Sequence, residues 1–271
     1  MIEVDGLVHV YPEGTRAIDG VDLTIAVGER IAIVGQNGSG KTTLVRHFNG
    51  LLRPTEGRVL IDGADTAPRR VADLARTVGL AFQDPDRQIF AGNVRSEIAF
   101  GPRNAGLRGA ELEGAIDRAL AVAGLEGDAA TNPYDLGFSR RKLLALASVI
   151  AMETPIVVLD EPTTGQDARG IDRIQRIVAD LSAAGRTVIA VSHDMRFVAE
   201  SFERVVVMRD GRIVLDGAPG EVFAEDAWPT LASTYLEPTL PARVGAKLGL
   251  GATPTEAALV AALASRAGDG R

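Results

Sequence analysis

The sequence predicts an α/β fold with a mostly parallel core sheet, an antiparallel β subdomain and an inserted helical subdomain. Four short runs rich in β-branched residues are separated by helical stretches, and this alternation is typical of parallel sheets. Each run is continuously apolar, which indicates a central strand covered on both faces. The runs lie at residues 30–34, 78–82, 156–160 and 187–191. The helical stretches lie at residues 41–51, 110–123, 141–152 and 168–183.

Shorter β signals flank this core at both ends of the chain. Between the two late runs, Arg209-Asp210-Gly211 favours a tight turn. From about residue 84 to residue 152 the strand signal disappears, so we expect the helical subdomain there. The hairpin-type strands are predicted at residues 2–10, 18–25, 204–208 and 212–215.

The chain beyond residue 225 is predicted to be a C-terminal extension (residues 226–271) of a main domain that spans residues 1–225. Pro, Gly and Thr are frequent at residues 227–251, which predicts an irregular connector. Thr253-Pro254-Thr255-Glu256 then has the pattern of a capping box with proline at the first helical position. A short helix is expected from there to about residue 264.

Composition limits the partners and the location. The 271 residues carry a formal net charge of −7 and no long Lys/Arg run, so nucleic acid is not an expected partner. Because cysteine is missing, disulfides and thiolate metal sites are excluded. The start lacks the features of a signal peptide, and the longest apolar run, residues 143–152, is shorter than the about 20 residues that cross a bilayer. We expect a cytoplasmic protein that reaches a membrane only through a partner.

A phosphate-binding pattern, G-x-x-x-x-G-K-[ST], lies between a predicted strand and a predicted helix. Its glycines let backbone N–H groups surround phosphate oxygens, and the helix start adds the positive end of its dipole. Lys41 is expected to bind the β- and γ-phosphates, Thr42 to ligate Mg²⁺, and Thr43 to lie on the same phosphate-facing turn. The alternative is a glycine-rich turn with an exposed lysine. The loop consists of Gly35, Gln36, Asn37, Gly38, Ser39, Gly40, Lys41 and Thr42.

Two acids end the apolar run at residues 156–160. Asp160 suits a contact to Mg²⁺, and Glu161 can reach the attacking water as a general base. Either acid alone would be explained as a solvated strand end. After a buried strand and behind a complete phosphate loop, catalysis explains the pair better.

Residues 160–167 resemble the Walker B and D-loop segment of ABC ATPases, which are P-loop enzymes. That family has a glutamine that ends a strand after the phosphate loop, matched here by Gln83, and a histidine that closes a later strand, matched by His193. It also has an upstream aromatic residue that stacks on adenine, matched by Tyr11. The resemblance covers about residues 2–225. It implies an ATP hydrolase coupled to transmembrane transport, with ATP and Mg²⁺ as its ligands.

The resemblance also implies a role for each matched residue. Glu161, His193 and Gln83 are the expected catalytic residues, and Gln83 joins Asp160 as an expected Mg²⁺ ligand. The imidazole of His193 can donate to a γ-phosphate oxygen and so sense that phosphate. Each match has another explanation: Tyr11 as an aromatic residue packed on the core, Gln83 as a polar strand end, and His193 as a strand-end histidine.

One family element departs from the usual pattern. ABC ATPases carry a signature, usually Leu-Ser-Gly-Gly-Gln, that closes over the γ-phosphate bound by the other subunit. Residues 136–140 read Leu-Gly-Phe-Ser-Arg, in which only the leucine agrees. Gly137 has no hydroxyl; Ser139 either restores one or is an ordinary N-cap of the helix at 141–152. We therefore suspect a heterodimer with a second ABC ATPase subunit, in which one composite site is weakened.

Residues 82–90 and 97–104 resemble the ATPases of energy-coupling factor (ECF) importers, which take up vitamins and transition-metal ions. This resemblance implies a transmembrane coupling subunit and a peripheral place at the cytoplasmic face of the cell membrane. At least one of Ile89 and Phe90 is expected to be exposed in a groove for a partner helix. The alternative is that both are buried.

Two other functional classes fit the sequence less well. A soluble ABC ATPase of DNA maintenance would insert long coiled coils or a basic DNA-binding stripe, and neither pattern is found. A P-loop kinase or GTPase would need a lid or a base-recognition segment and would leave the Gln83, Asp160, Glu161 and His193 series unexplained.

Overall fold

The computed structural model describes residues 1–269, which form two sheets with helices around the larger one. The strands are β1 (Ile2–Val10), β2 (Arg16–Ile25), β3 (Arg30–Gly35), β4 (Glu56–Ile61), β5 (Ala64–Asp65), β6 (Val78–Ala81), β7 (Ile156–Asp160), β8 (Thr187–Val191), β9 (Arg204–Arg209) and β10 (Arg212–Gly217). The helices are α1 (Lys41–Phe48), α2 (Val71–Leu74), α3 (Val94–Ala105), α4 (Gly109–Ala123), α5 (Phe138–Ile150), α6 (Ala168–Ala183), α7 (Met195–Ser201), α8 (Pro219–Val222), α9 (Trp228–Ala232), α10 (Leu240–Leu248) and α11 (Glu256–Asp269).

The larger sheet has the strand order β10-β9-β3-β8-β7-β6. All of its neighbours pair in parallel except β10, which forms an antiparallel hairpin with β9 at one edge. The smaller sheet has the order β2-β1-β4-β5 and is antiparallel. The predicted α/β class, with a mostly parallel core and an antiparallel addition, is confirmed.

The central strands are apolar throughout because both faces of the larger sheet are covered. In β3, Ile31 and Ile33 pack in one buried cluster with residues of α1 and the smaller sheet. The alternate residues Ala32 and Val34 pack in a second cluster with residues of α5, α6 and α7. Side chains of a strand point to opposite faces in turn, so two covered faces require an unbroken apolar run.

Two helix boundaries differ by three residues from the prediction. α1 ends at Phe48 rather than at residue 51, because Gly50 adopts φ +73°, which a helix cannot continue through. α5 begins at Phe138, not at residue 141, and its N-cap is Gly137. The suggestion that Ser139 is an N-cap is therefore wrong, since Ser139 lies inside the first turn.

The predicted irregular connector at residues 227–251 is also wrong in part. It contains α9 and α10, each with a proline in its first turn, where the missing N–H group costs nothing. Thr239 caps α10 by accepting a hydrogen bond from the N–H of Ala242. The prolines that suggested a connector therefore start helices.

The last helix exists but begins differently and extends to Asp269, beyond the predicted end near residue 264. The hydroxyl of Thr255 accepts a hydrogen bond from the N–H of Ala258 and caps α11, whereas the hydroxyl of Thr253 donates to the carbonyl of Pro241. Thr253 is therefore not the cap. The division into residues 1–225 and 226–271, with a helical subdomain at about 84–152, stays a prediction. No helix within residues 1–269 is both long and apolar enough to cross a lipid bilayer.

A buried histidine pair lies beneath the helix that follows the phosphate loop. His47 in α1 is 0% exposed, and its Nδ1–H donates to the carbonyl of Thr43 over 2.8 Å. Its Nε2 lies 3.2 Å from Nδ1 of His9, which also lies 3.1 Å from the carbonyl of Arg53. Burial lowers the pKa of His47 to about 4; His9 lowers it further, and the carbonyls of Thr43 and Arg53 oppose the shift.

The depressed pKa of His47 predicts a loss of stability in weak acid. The unfolded chain binds the proton near pH 6.5 and the folded chain only near pH 4, so stability is retained above pH 6.5 and falls as pH drops toward 4. Between pH 7 and pH 5, the wild type should lose about 2 kcal/mol more free energy of unfolding than His47→Gln. Urea unfolding at the two pH values measures this, and equal losses in both proteins would contradict it.

Candidate active site

Most of the predicted site residues meet at one cleft, whereas Gly137 and Ser139 lie at the start of α5. β3, β8, β7 and β6 are neighbours, and Gly35, His193, Glu161 and Gln83 lie at or just after their carboxyl ends. Carboxyl ends of parallel strands share one edge of a sheet, which is where open α/β sheets bind ligands. The cleft there has a volume of about 370 Å³. It is lined by Tyr11, Thr15, Arg16, Ala17, Asn37, Gly38, Gly40, Lys41, Thr42, Thr43, Gln83, Glu161 and Val191.

The phosphate loop contains a position, Gly40, whose backbone conformation and surroundings only glycine accepts. Gly40 adopts φ +100°, and a Cβ there would overlap the carbonyl oxygen of Ala17. Lys41 follows as the first residue of α1 and is buried, and its ammonium donates to the carbonyls of Gly35 and Gln36, each over 2.8 Å. Burial lowers the pKa of Lys41, and the carboxylates of Glu161 and Asp160 oppose that shift.

Two oxygen-bearing side chains suit a magnesium ion. The hydroxyl of Thr42 donates to the carboxylate of Asp160 over 3.3 Å, which joins the start of α1 to the end of β7. Burial raises the pKa of Asp160, while the hydrogen bond from Thr42 lowers it. Hydroxyl and carboxylate oxygens are ligands that Mg²⁺ accepts, usually beside substrate phosphates. Gln83 lines the same cleft, and its amide oxygen is a third oxygen of a kind that suits the ion.

Glu161 is held in an unusual conformation. Its φ is +51°, a left-handed value that is uncommon outside glycine. Its N–H donates to the carbonyl of Val191 in β8 over 2.8 Å. Its buried carboxylate lies 2.7 Å from Nδ1 of His193, whose ring is largely exposed. The proposed base and the proposed γ-phosphate sensor are therefore direct hydrogen-bond partners.

Tyr11 and Gln83 lie at the rim of the cleft. The hydroxyl of Tyr11 lies 3.0 Å from that of Thr43, and its half-buried ring packs edge-to-face on that of His9, with the ring centroids 4.6 Å apart. Gln83 is exposed after β6. Both positions are compatible with the contacts expected of them, adenine stacking for Tyr11 and the metal for Gln83, and these roles stay predictions.

Comparison with known proteins agrees with this geometry. The model of the family described as ABC transporter matches residues 18–164. The energy-coupling factor transporter ATP-binding protein EcfA of Methanocaldococcus jannaschii is 40% identical over 227 residues, which are 83% of this chain and 81% of that protein. This chain belongs to the ABC transporter ATP-binding family. The resemblance stated from its motifs is confirmed, and the chain is an ABC-type ATPase that binds ATP.

Other relatives match over similar lengths. EcfA of Methanothermobacter thermautotrophicus is 40% identical, covering 83% of this chain and 73% of that protein. An ABC transporter ATP-binding protein of Caldanaerobacter subterraneus is 43% identical over 226 residues, and this chain spans only 40% of its length.

Two solved structures share the fold. CbiO1 of Clostridium perfringens, described as part of the ABC transporter complex cbiONQ, superposes with a TM-score of 0.76 at 35% identity, covering 92% of this chain and 98% of that chain. The cassette MJ0796, described as a dimer bound to ADP and phosphate, superposes with a TM-score of 0.75 at 26% identity, covering 80% of this chain and 98% of that one.

Residues 136–140, which are predicted to be a variant signature, lie at the N-terminus of α5. Gly137 is exposed and makes no side-chain cap, so the first turn presents backbone N–H groups and the positive end of the helix dipole. The hydroxyl of Ser139 donates to the side-chain oxygen of Gln166 over 2.8 Å, and the amide of Gln166 donates to the carbonyl of Ser139 over 3.1 Å. The only hydroxyl in the segment thus bonds within its own chain.

Three contributors to the site were missed from the sequence. Gln88 accepts from the N–H of Phe82 and donates to α5 through Ala145 and Ser148, which braces the loop that carries Gln83. Gln166 bonds to the signature turn, as described. Lys142 is a buried cation beside the two acids. These contacts join segments that are far apart in the chain, so no local sequence pattern predicts them.

Replacing the proposed base tests its role. Glu161→Gln keeps the size of the side chain but removes the proton acceptor, so ATP hydrolysis should fall at least about 100-fold while ATP binding stays unchanged. Steady-state phosphate release and calorimetric ATP titration measure the two quantities. Glu126→Gln, at an exposed carboxylate distant in sequence from the site, is the matched control and should keep full turnover. Turnover of Glu161→Gln within threefold of the wild type would remove Glu161 from this role.

Proposed function

We propose that this chain is the ATPase subunit that energises an ECF-type importer for a vitamin or a transition-metal ion. The observation that carries this proposal is an exposed apolar cleft beside the Gln83 loop, where a helix of a membrane partner can bind. The EcfA names of the relatives support it, as does the description of the similar CbiO1 structure. In this assignment the chain sits at the cytoplasmic face of the membrane, held by its partners.

The cleft has a volume of about 270 Å³ and a mostly apolar lining. Phe90 is 59% exposed and packs edge-to-face with Phe100, their ring centroids 4.6 Å apart. Leu51 and Val71 also line the cleft and are exposed as well. Large apolar side chains gathered at one exposed place mark an interaction site rather than scattered surface residues. A groove of this kind suits the apolar face of a helix.

Hydrogen bonds to its backbone hold Phe90 in its exposed position. The carboxylate of Glu97, itself 3% exposed, accepts hydrogen bonds from the N–H groups of Phe90 and Ala91. The hydroxyl of Tyr134 donates to the carbonyl of Ile89 over 3.0 Å. Ile89 is buried and Phe90 is exposed, so the expectation that at least one of the two is exposed is confirmed.

The site residues suit the chemistry of ATP hydrolysis. Lys41 and the loop N–H groups bind the phosphates, Glu161 orients and deprotonates water, and His193 donates to the γ-phosphate. Tyr11 stacks on adenine. Thr42, Asp160 and Gln83 would hold Mg²⁺, which offsets negative charge on the phosphates. Glu161 and His193 are already paired, so a γ-phosphate that engages His193 also affects the base.

We further propose that the chain pairs with a different ABC ATPase subunit. Its phosphate loop, Asp160 and Glu161 are complete, whereas Gly137 supplies no hydroxyl to the partner's nucleotide. The stronger composite site then combines this chain's phosphate loop with the partner's signature. A neutral hydroxyl hydrogen bond is worth about 0.5–1.5 kcal/mol, so the weaker site is slowed rather than abolished.

A charge in the apolar cleft tests the membrane attachment. Phe90→Glu should release the protein from its membrane complex, because a carboxylate cannot be buried against an apolar helix without large cost, while ATP affinity stays unchanged. Co-purification from detergent extract and ATP titration are the measurements. Val27→Glu, at an exposed valine in the turn between β2 and β3, is the control and should stay attached. If Phe90→Glu loses ATP binding together with attachment, Phe90 has a core role instead.

Hydrolysis by the isolated subunit tests the pairing. Purified alone, the chain should hydrolyse ATP slowly, because both composite sites of a homodimer would contain the variant signature. Addition of its co-purifying ATPase partner should raise the rate about two- to tenfold, the range that a hydrogen bond of about 0.5–1.4 kcal/mol accounts for. Brisk and cooperative turnover by the chain alone would contradict the heterodimer.

A further inference from the structure

Lys142 is a buried cation that the chemistry above does not use. It lies in the second turn of α5 and is 5% exposed. Its ammonium donates to the backbone carbonyl of Glu161 and, over 3.2 Å, to that of Thr164. Burial lowers its pKa to about 8, against the opposing carboxylates of Glu161, Asp160 and Asp84, so the side chain still carries its proton at pH 7. Burying an ammonium costs several kcal/mol unless its donors are satisfied.

The two carbonyls belong to the segment that carries the proposed base. Glu161 holds φ +51°, a left-handed value at which a non-glycine residue is strained. Such strain persists only where the surroundings impose it. Lys142 bonds to the carbonyl of the strained residue itself and to that of Thr164 three residues later, so it fixes the turn from both ends.

Two further contacts join the same two segments. Ser139 and Gln166 exchange hydrogen bonds, as described above. The ring of Phe138 packs against Gly165 so closely that a Cβ at that glycine would overlap it. The first two turns of α5 and residues 161–166 are therefore tied at three points, of which Lys142 is the innermost.

We propose that Lys142 is a positioning residue that holds Glu161 in its catalytic conformation and ties it to the signature turn of the same chain. This inference rests on the proposed role of Glu161. The signature turn faces the nucleotide of the partner subunit, whereas Glu161 serves the nucleotide of its own subunit. Movement of the signature on the partner's ATP is thereby transmitted to the base, and the two composite sites are coupled through Lys142.

Substitution of Lys142 tests this role. Lys142→Met keeps the length and removes the donors; in the full chain with its co-purifying subunits, kcat should fall at least tenfold while the Kd for ATP stays within twofold. Lys142→Gln, whose shorter amide keeps N–H donors, should recover part of the lost turnover. Lys247→Met, the same change at an exposed lysine of α10, should leave both values unchanged.

Some outcomes would overturn the proposal. Lys142→Met with a kcat within twofold of the wild type would show that Glu161 does not need it. A joint fall of kcat, ATP affinity and melting temperature, without recovery in Lys142→Gln, would make Lys142 a structural residue only.

Hydrogen exchange gives a second readout that does not need hydrolysis. Lys142→Met should speed amide exchange at residues 161–166 at least tenfold and leave the phosphate loop unchanged; unchanged exchange at 161–166 overturns the proposal. If Lys142→Met does not fold, Gln166→Leu removes a second contact between the same two segments, the bonds of Gln166 to Ser139, and should speed exchange at residues 161–166. A wild type that binds ATP but does not hydrolyse it would contradict the proposed function, while the exchange data still decide the role of Lys142.

Discussion

The site depends on the alignment of neighbouring parallel strands at their carboxyl ends. β3, β8, β7 and β6 are hydrogen-bonded in that order, so the segments that follow them open at the same edge. Residues from four distant parts of the chain are thereby brought into one cleft. A one-residue slip in a parallel pair would turn Asp160 to the other face of the sheet, away from Thr42. The continuous apolar character of the strands protects this register by filling both faces of the sheet.

Burial and neighbouring groups act in opposite directions on the pKa values of the charged side chains at this edge. Burial lowers the pKa of Lys41 and raises that of Asp160, so desolvation drives both groups toward their neutral forms. The carboxylates of Glu161 and Asp160 oppose the shift at Lys41, and the hydrogen bond from Thr42 opposes the shift at Asp160. A polyphosphate beside Lys41 and a divalent cation beside Asp160 would each stabilise the charged form. Such a site has its charges in place before the ligand arrives, which is the arrangement that stabilises a phosphoryl-transfer transition state most effectively.

Much of this organisation could be predicted from the sequence, because strands, phosphate loop and strand-end acids have local signals. The residues of the cleft were found by their order along the chain, and the structure places Tyr11, Gln83 and Glu161 in one lining. Errors arose where local composition had two explanations: proline after a main domain suggested a connector, although Pro229 and Pro241 lie in first turns of helices. The sequence gives no signal for Lys142, since the carbonyls that it binds lie 19 and 22 residues away along the chain and lysine in a helix is ordinarily exposed.

Polar contacts to the backbone decide which side chains near the site are exposed. Ile89 is buried and Phe90 exposed because Glu97 and Tyr134 fix the backbone between them. In the predicted signature turn, by contrast, a polar contact within the chain occupies a side chain that a partner's ligand would otherwise meet. Its hydroxyl, on Ser139, is directed to Gln166 of its own chain, so the turn offers a partner only backbone N–H groups and the helix dipole, and gains a stiff connection to Glu161. In the proposed pairing, such a subunit would contribute little to its neighbour's phosphate but would be joined to its own base through α5. The proposed heterodimer would combine it with a subunit that carries a complete signature.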